Sequence, residues 1–187
     1  MSDMAERILR LAFEEGGADY LLAMSEEHGN VVPVFIGKDE RLEDVRLDVP
    51  YQLVTVLKRI YPWIPDGKIA LICRRCDEKA LAELAKRDII DMSRVVKIGL
   101  ACDAAQIERC RCHDPSPEKP ELGTAADGLD EDALSVRLEA LDWRERLSYW
   151  VDQFRKCNKC FACTLNCPVC VCDDCVLGER RFVPEAG

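Results

Sequence analysis

Only two histidines, His28 and His113, occur in the 187 residues of this chain. Neither is patterned with a serine or cysteine as a nucleophile and its base would be, so acyl-transfer chemistry has no support and no residue is assigned a catalytic role. His28 reads as a turn residue and His113 as a solvated loop residue next to Cys112. Phosphate-cradling glycine loops are missing too. The sequence contains no GxGxxG and no GxxxxGK segment, which removes the usual dinucleotide and ATP sites. Basic residues are in deficit, 26 against 35 acidic, and a net charge of −9 excludes the basic footprint of a nucleic-acid groove. No apolar run approaches the roughly 18 residues that a membrane span needs. The opening "MSDMAERILRLAFEEGG" is interrupted by Asp3, Glu6, Glu14 and Glu15 and lacks a secretory h-region.

Cysteine, by contrast, is abundant, with 12 residues. With no export signal or span expected, the chain is placed in the cytoplasm. Thiols stay reduced there, so cysteines in this number point to metal ligation or redox chemistry ahead of disulfides. They fall into two groups. Cys73, Cys76, Cys102, Cys110 and Cys112 lie mid-chain, and Cys157, Cys160, Cys163, Cys167, Cys170, Cys172 and Cys175 crowd the C-terminal region.

Hydrophobic residues at 48% suffice for a core, and the length allows one domain plus an appendage. "DYLLAMSEEHGNVVPVFIGK" reads as two strands around a His28-Gly29-Asn30 turn, with Pro33 confining the second strand to a sheet edge. "DVPYQLVTVLKRIY" (48–61) reads as a helix with Pro50 near its first turn. "KIALIC" (68–73), "CDEKALAELAKRDI" (76–89) and "RVVKIGLAC" (94–102) read as strand, helix and strand of a parallel βαβ unit. The expected fold is α/β, a small parallel or mixed sheet with helices, followed by a ferredoxin-like cysteine-rich segment. The expected organisation is a domain over residues 1–112, a linker or surface loop over 113–134, and a helix with a cluster-binding segment over 135–187. The loop reading rests on three prolines, two glycines and seven acidic residues within positions 113–135.

In a parallel βαβ unit, ligands favour the crevice beyond the strand carboxyl ends, where Cys73, Cys76 and Cys102 are expected. Cys76 is also expected to open the helix, where the dipole lowers a thiol's pKa and favours the metal-binding thiolate. Cys110 and Cys112 follow closely enough to fold back over the same edge.

The most specific motif is "CNKCFACTLNCP". Cys157, Cys160, Cys163 and Cys167-Pro168 match C-x2-C-x2-C-x3-C-P, the bacterial ferredoxin run. Tetrahedral zinc sites favour two C-x2-C knuckles a dozen or more residues apart, which this run does not offer. One cluster is assigned to Cys157, Cys160 and Cys163 with a fourth ligand such as Cys175, and a second to Cys167, Cys170 and Cys172 with a neighbour. The middle five are the donors for a third, or with "CRRC" and "CRC" a candidate zinc knuckle pair. The helical stretch "DALSVRLEALDWRERLSYWVDQFRKC" leads into the run, and its Trp143, Leu147, Trp150, Val151 and Phe154 share one face read as core packing.

On these residues, "CRRCDEKALAELAKRDIIDMSRVVKIGLAC" with "CRC", then "YWVDQFRKCNKCFACTLNCPVCVCDDC", the chain resembles iron-sulfur electron-transfer subunits related to the beta subunits of deazaflavin-reducing hydrogenase and of formate dehydrogenase. Such subunits are often found beside heterodisulfide-reductase-like flavoproteins. The resemblance implies 4Fe-4S clusters, flavin such as FAD on a partner, and electron relay between a flavin-bearing partner and a catalytic subunit of an oxidoreductase of anaerobic metabolism. It matches Cys157, Cys160, Cys163 and Cys167 to the family's ferredoxin run and Cys76 and Cys102 to its mid-chain cysteines. The chain is shorter than the hydrogenase beta subunits, and its run lies near the C-terminus instead of the N-terminus. Two alternatives stand beside this expectation: a zinc-stabilised interaction module without redox role, and a flavin-dependent reductase of a small carrier.

Overall fold

A computed structural model of the chain describes residues 3–40, 42, 44–130 and 133–172, which divide into two units, Met1–Leu129 and Asp130–Gly187. The first is an α/β unit around a four-stranded mixed sheet ordered β2-β1-β3-β4. Strands β1 (Tyr20–Glu27) and β2 (Asn30–Gly37) form the expected hairpin, antiparallel from Tyr20↔Gly37 to Glu27↔Asn30. His28 and Gly29 both have positive φ, 51° and 75°, the two-residue type I′ geometry that matches strand twist. Pro33 lies on β2, at the sheet edge where its missing N–H costs no ladder bond.

The βαβ unit is present with tighter bounds than the sequence suggests. Strand β3 (Ile69–Cys73) is buried throughout and pairs in parallel with both β1 and β4 (Val95–Gly99). Burial on both faces explains why its residues are apolar without alternation. Helix α3 (Arg75–Ala85) connects the two strands and packs Ala80, Leu81 and Leu84 inward. It ends four residues before the expected stop, and Asp88 turns the chain at φ 56°.

The expected helix over 48–61 shrinks to α2 (Val54–Ile60), followed by a 3-10 turn over Tyr61–Trp63. The reason lies elsewhere in the chain. The buried Arg74 guanidinium donates to the carbonyls of Leu47 (2.7 Å), Val49 (2.8 Å) and Tyr51 (3.3 Å), holding that stretch away from helical pairing. Two helices carry no sequence expectation. Helix α1 (Asp3–Leu9) continues as a π-helical turn over Arg10–Glu15, burying Ala5, Ile8 and Ala12. Helix α4 (Ala104–Cys110) follows β4 and opens with a reciprocal cap: Gln106 N–H donates to Asp103 Oδ1 at 2.8 Å and Asp103 N–H to Gln106 Oε1 at 3.0 Å.

Residues 113–129 belong to the first unit. Leu122 is fully buried and forms a parallel bridge with Leu100, and Glu121 and Leu122 N–H both donate to the Gly99 carbonyl at 2.9 Å. Gly99 is required here, since a Cβ at that position would lie 1.9 Å from the Lys119 carbonyl oxygen. An ion-pair network ties the same segment to α3: Arg75 reaches Asp114 (2.9 Å) and Glu78 (2.9 Å), and both Glu78 oxygens accept the Glu118 N–H.

The second unit holds α5 (Ala133–Ala140), α6 (Trp143–Phe154) and α7 (Ala162–Asn166). The helical pattern expected across 132–157 is divided at Asp142, whose carboxylate accepts from Arg144 and Glu145 N–H and starts α6 afresh. Among the described residues no helix is long and apolar enough to cross a membrane.

Candidate functional site

The mid-chain cysteines are gathered by strand register. Cys73 pairs with Gly99, so the chain leaves β3 and β4 at neighbouring ends, carrying Cys76 and Cys102 with it. Cys76 lies in the first turn of α3, Cys102 immediately before the Asp103 cap of α4, Cys110 at the last residue of α4, and Cys112 after the left-handed Arg111 (φ 52°). Cys76, Cys110 and Cys112 each interact electrostatically with Cys102, so the four thiols share one edge. Cys76 and Cys110 are exposed and Cys102 and Cys112 half-buried. Among the described residues no three candidate ligands have converged on one metal position.

Cys73 differs from the rest. It is fully buried, donates to the Arg74 carbonyl at 3.6 Å, and has its thiol pKa pushed far above the ordinary range by burial and by the Asp77 and Glu78 carboxylates. This is the environment of a core residue.

The lowered pKa expected for Cys76 is reversed. Although the residue reaches solvent, protein packed around the sulfur desolvates the thiolate, and the neighbouring Asp77 charge adds to the effect, so the thiol is pushed up to about 11. The helix end contributes a fraction of a charge, and a desolvating pocket with an adjacent carboxylate outweighs it. The Cys102 thiol is also raised, by burial first, with Arg74 pulling in the opposite direction through its charge and a hydrogen bond.

Arg74, which sequence reasoning passed over, is the organiser of this edge. Its guanidinium is buried among backbone carbonyls with Cys102 beside it, and its Nε has no hydrogen-bond partner among the described residues. The available signal was an arginine directly after a fully apolar strand in "LICRRC". A cation placed there suits a site where thiolates or an anionic all-thiolate centre collect. Asp77 completes the anchor, accepting N–H bonds from Val54 (3.2 Å) and Arg74 (3.1 Å).

Burial pushes the Asp77 carboxyl up from 3.8 to about 6. Because the folded value lies above the ordinary one, the Asp77 contribution to stability is fullest below about pH 4 and is lost as pH rises through 6. Between pH 4 and pH 7 the wild type is expected to lose up to about 3 kcal/mol relative to Asp77→Asn. Urea titrations of both proteins under reducing conditions check this, and a pH-independent difference between them would contradict it.

A cavity of about 540 Å³ opens beyond the carboxyl end of β4, lined by Leu47, Leu100, Ala101, Asp103, Gln106 and Thr124 among others. None of the described cysteines lines it, and the Gln106 amide is engaged with Asp103 N–H and the Leu47 carbonyl. His113 Nδ1 lies 2.8 Å from the Leu129 carbonyl, a loop tie of the first unit.

In the second unit the Cys157-to-Pro168 run leaves α6 directly, with Cys157 N–H donating to the Phe154 carbonyl at 3.0 Å. The chain then turns sharply twice. Lys159 and Phe161 both take left-handed conformations (φ 56° and 59°), and the Lys159 N–H points at Cys157 Sγ from 3.4 Å. Cys163 falls in the first turn of α7, and Cys167 N–H closes back to its carbonyl at 3.0 Å. Cys157, Cys160, Cys163 and Cys172 are exposed, and Cys167 and Cys170 half-buried. Cys175, the fourth ligand assigned to the first cluster, lies outside the described residues.

The donor set of this stretch fits an iron-sulfur centre in kind. It offers soft thiols in the open, a backbone N–H already directed at one sulfur, and non-glycine residues held left-handed between the thiols. No family model matches the chain.

Proposed function

We propose that this chain is an iron-sulfur electron-transfer subunit of a cytoplasmic multi-subunit oxidoreductase, relaying electrons between a flavin-bearing partner and a catalytic subunit. The observation that carries the reading is the Cys157-to-Pro168 run on an exposed double turn, with the Lys159 N–H aimed at Cys157 Sγ. Amide N–H groups directed at sulfur are one of the means by which a protein sets the potential of such a centre. Cys157, Cys160, Cys163, Cys167, Cys170 and Cys172 supply the ligands here, and Cys76, Cys102, Cys110 and Cys112 around Arg74 supply a second edge. When bound, the group contributes one-electron exchange. The chain contributes the thiolates, the N–H donors and the surface that places them near a partner.

Anaerobic purification followed by iron, acid-labile sulfide and electron paramagnetic resonance measurements tests the assignment. At least about four iron and four sulfide per chain are expected, with a signal on dithionite reduction. Zinc without labile sulfide would replace this reading with that of a structural interaction module.

A further inference from the structure

Helix α6 shows five large apolar side chains to solvent. Trp143, Leu147, Trp150, Val151 and Phe154 lie within one stripe of about 100° at 100° per residue, and Trp143, Leu147 and Phe154 are 68%, 55% and 73% exposed. The sequence reading of this face as core is not what the structure has. Helix α5 takes a different side of α6: Arg146 donates to the carbonyls of Leu138 (2.9 Å), Leu141 (3.0 Å) and Glu139 (3.2 Å), and Arg137 lies over the Tyr149 ring at 5.7 Å. The pairing that holds the two helices together therefore leaves the apolar stripe outward.

The segment that carries the stripe is basic. Residues 143–167 carry five basic side chains against two acidic, in a chain whose net charge is −9. Arg146 is turned to α5 and Arg155 pairs with Asp152 at 3.2 Å, so the positive charge beside the stripe comes from Arg144, over the Trp143 ring at 5.1 Å, and from Lys156 and Lys159, which follow Phe154. The exposed apolar area is on the order of 500 Å², at the upper end of what monomers show, and with its charged rim approaches the roughly 800 Å² per partner of a standard interface. Pairing two copies through this face would set basic rim against basic rim. A lipid surface would call for lysines and arginines across the polar face, which instead carries Glu145, Ser148, Asp152 and Gln153.

We infer that the outward face of α6 is the docking surface for a partner protein presenting an apolar patch rimmed by carboxylates. Resting on the function proposed above, that partner is the one with which the chain exchanges electrons, since the face runs without interruption into Cys157. An apolar centre supplies affinity and a charged rim supplies orientation and encounter rate, the division of labour expected of a transient redox interface.

The test uses the full chain, purified anaerobically, and a purified acidic flavodoxin as probe. Binding is followed by titration calorimetry and association by stopped flow, for the wild type and for Trp150→Ser and Phe154→Ser, whose folding is checked by circular dichroism. Expected is saturable binding, weakened about tenfold or more in each variant, with an association rate that falls as salt rises from about 50 to about 300 mM, over which the Debye length shortens roughly 2.5-fold. Iron content, and one-electron reduction of the chain's clusters by dithionite-reduced methyl viologen, are expected unchanged in both variants. Absence of binding, or equal binding by the variants, overturns the docking surface while intact viologen chemistry leaves the electron-transfer reading standing. Loss of iron from the wild type with patch-dependent binding retained does the reverse. Sedimentation showing a dimer that Phe154→Ser disperses, uptake on anionic vesicles that it abolishes, or protection of the face by the first unit of the same chain each assigns the face to another occupant and overturns the inference.

Discussion

Replacing Cys160 by serine is expected to remove about four iron atoms per chain and the paramagnetic signal of one cluster, while the circular dichroism spectrum and the melting of the first unit stay as they are. Cys160 is exposed, and its N–H is held by the Asn158 side chain at 3.3 Å, so the turn does not depend on its sulfur. A hydroxyl is a far poorer ligand for iron than the thiolate that the proposed site requires. Cys73→Ser is expected to give the opposite pair of results. Its sulfur is fully buried at the end of β3, so a hydroxyl there costs about 1–3 kcal/mol of stability and leaves the iron count unchanged. The contrast separates a ligating thiol from a packing one with two conservative substitutions. Unchanged iron in Cys160→Ser would take the run out of the ligand set, and iron loss in Cys73→Ser would move the site onto the sheet.

Much of the first unit is legible in the sequence because its signals are local. His28-Gly29 marks the hairpin, and the unbroken apolar run of β3 marks a strand buried on both faces. Expectations diverge where a distant group decides. The apolar periodicity of 48–61 cannot register that Arg74 grips the carbonyls of residues 47–51, so the helix is read six residues too long at its start. The acidic, proline-rich composition of 113–134 reads as linker or loop, and nothing local shows that Leu122 completes the sheet at Leu100. Helices α1 and α4 did carry signals, the Ala5, Ile8, Ala12 spacing and the Asp103-to-Gln106 capping box, within short segments whose acidic or cysteine content drew the reading elsewhere.

At the candidate site, spacing marks the tail cysteines as candidate ligands, and register places Cys76 and Cys102 beyond the ends of β3 and β4 as expected. The protonation of Cys76 depends on desolvation and on Asp77, which no motif encodes. The α6 stripe shows the same limit from another side. Periodicity specifies a face, and what covers that face is a property of other surfaces.

Arg74→Met is expected to be the most damaging single change in the first unit, lowering its stability by about 3–5 kcal/mol. The substitution takes the Arg74 donor from the carbonyls of Leu47, Val49 and Tyr51, of which Leu47 keeps the Gln106 amide and Val49 the Tyr51 N–H, and withdraws a cation that helps hold the buried Asp77 carboxylate ionised. Removing the buried cation also removes its desolvation cost, so the loss falls well short of three charged hydrogen bonds added together. Arg74→Lys keeps the charge and loses the fork that reaches three carbonyls, and an intermediate loss is expected. A second readout separates this structural role from an electrostatic one. Arg74 favours the Cys102 thiolate by charge and by hydrogen bond, so in Arg74→Met the thiol pKa rises further and alkylation of Cys102 by iodoacetamide at pH 8 slows. Peptide-mapping mass spectrometry after timed alkylation, with Cys110 as the internal reference, measures this. Slower labelling in Arg74→Met with near wild-type labelling in Arg74→Lys would assign the effect to charge. Faster labelling in both would show that the segment over residues 47–53 has opened, and that Arg74 acts on Cys102 only by holding the edge in place.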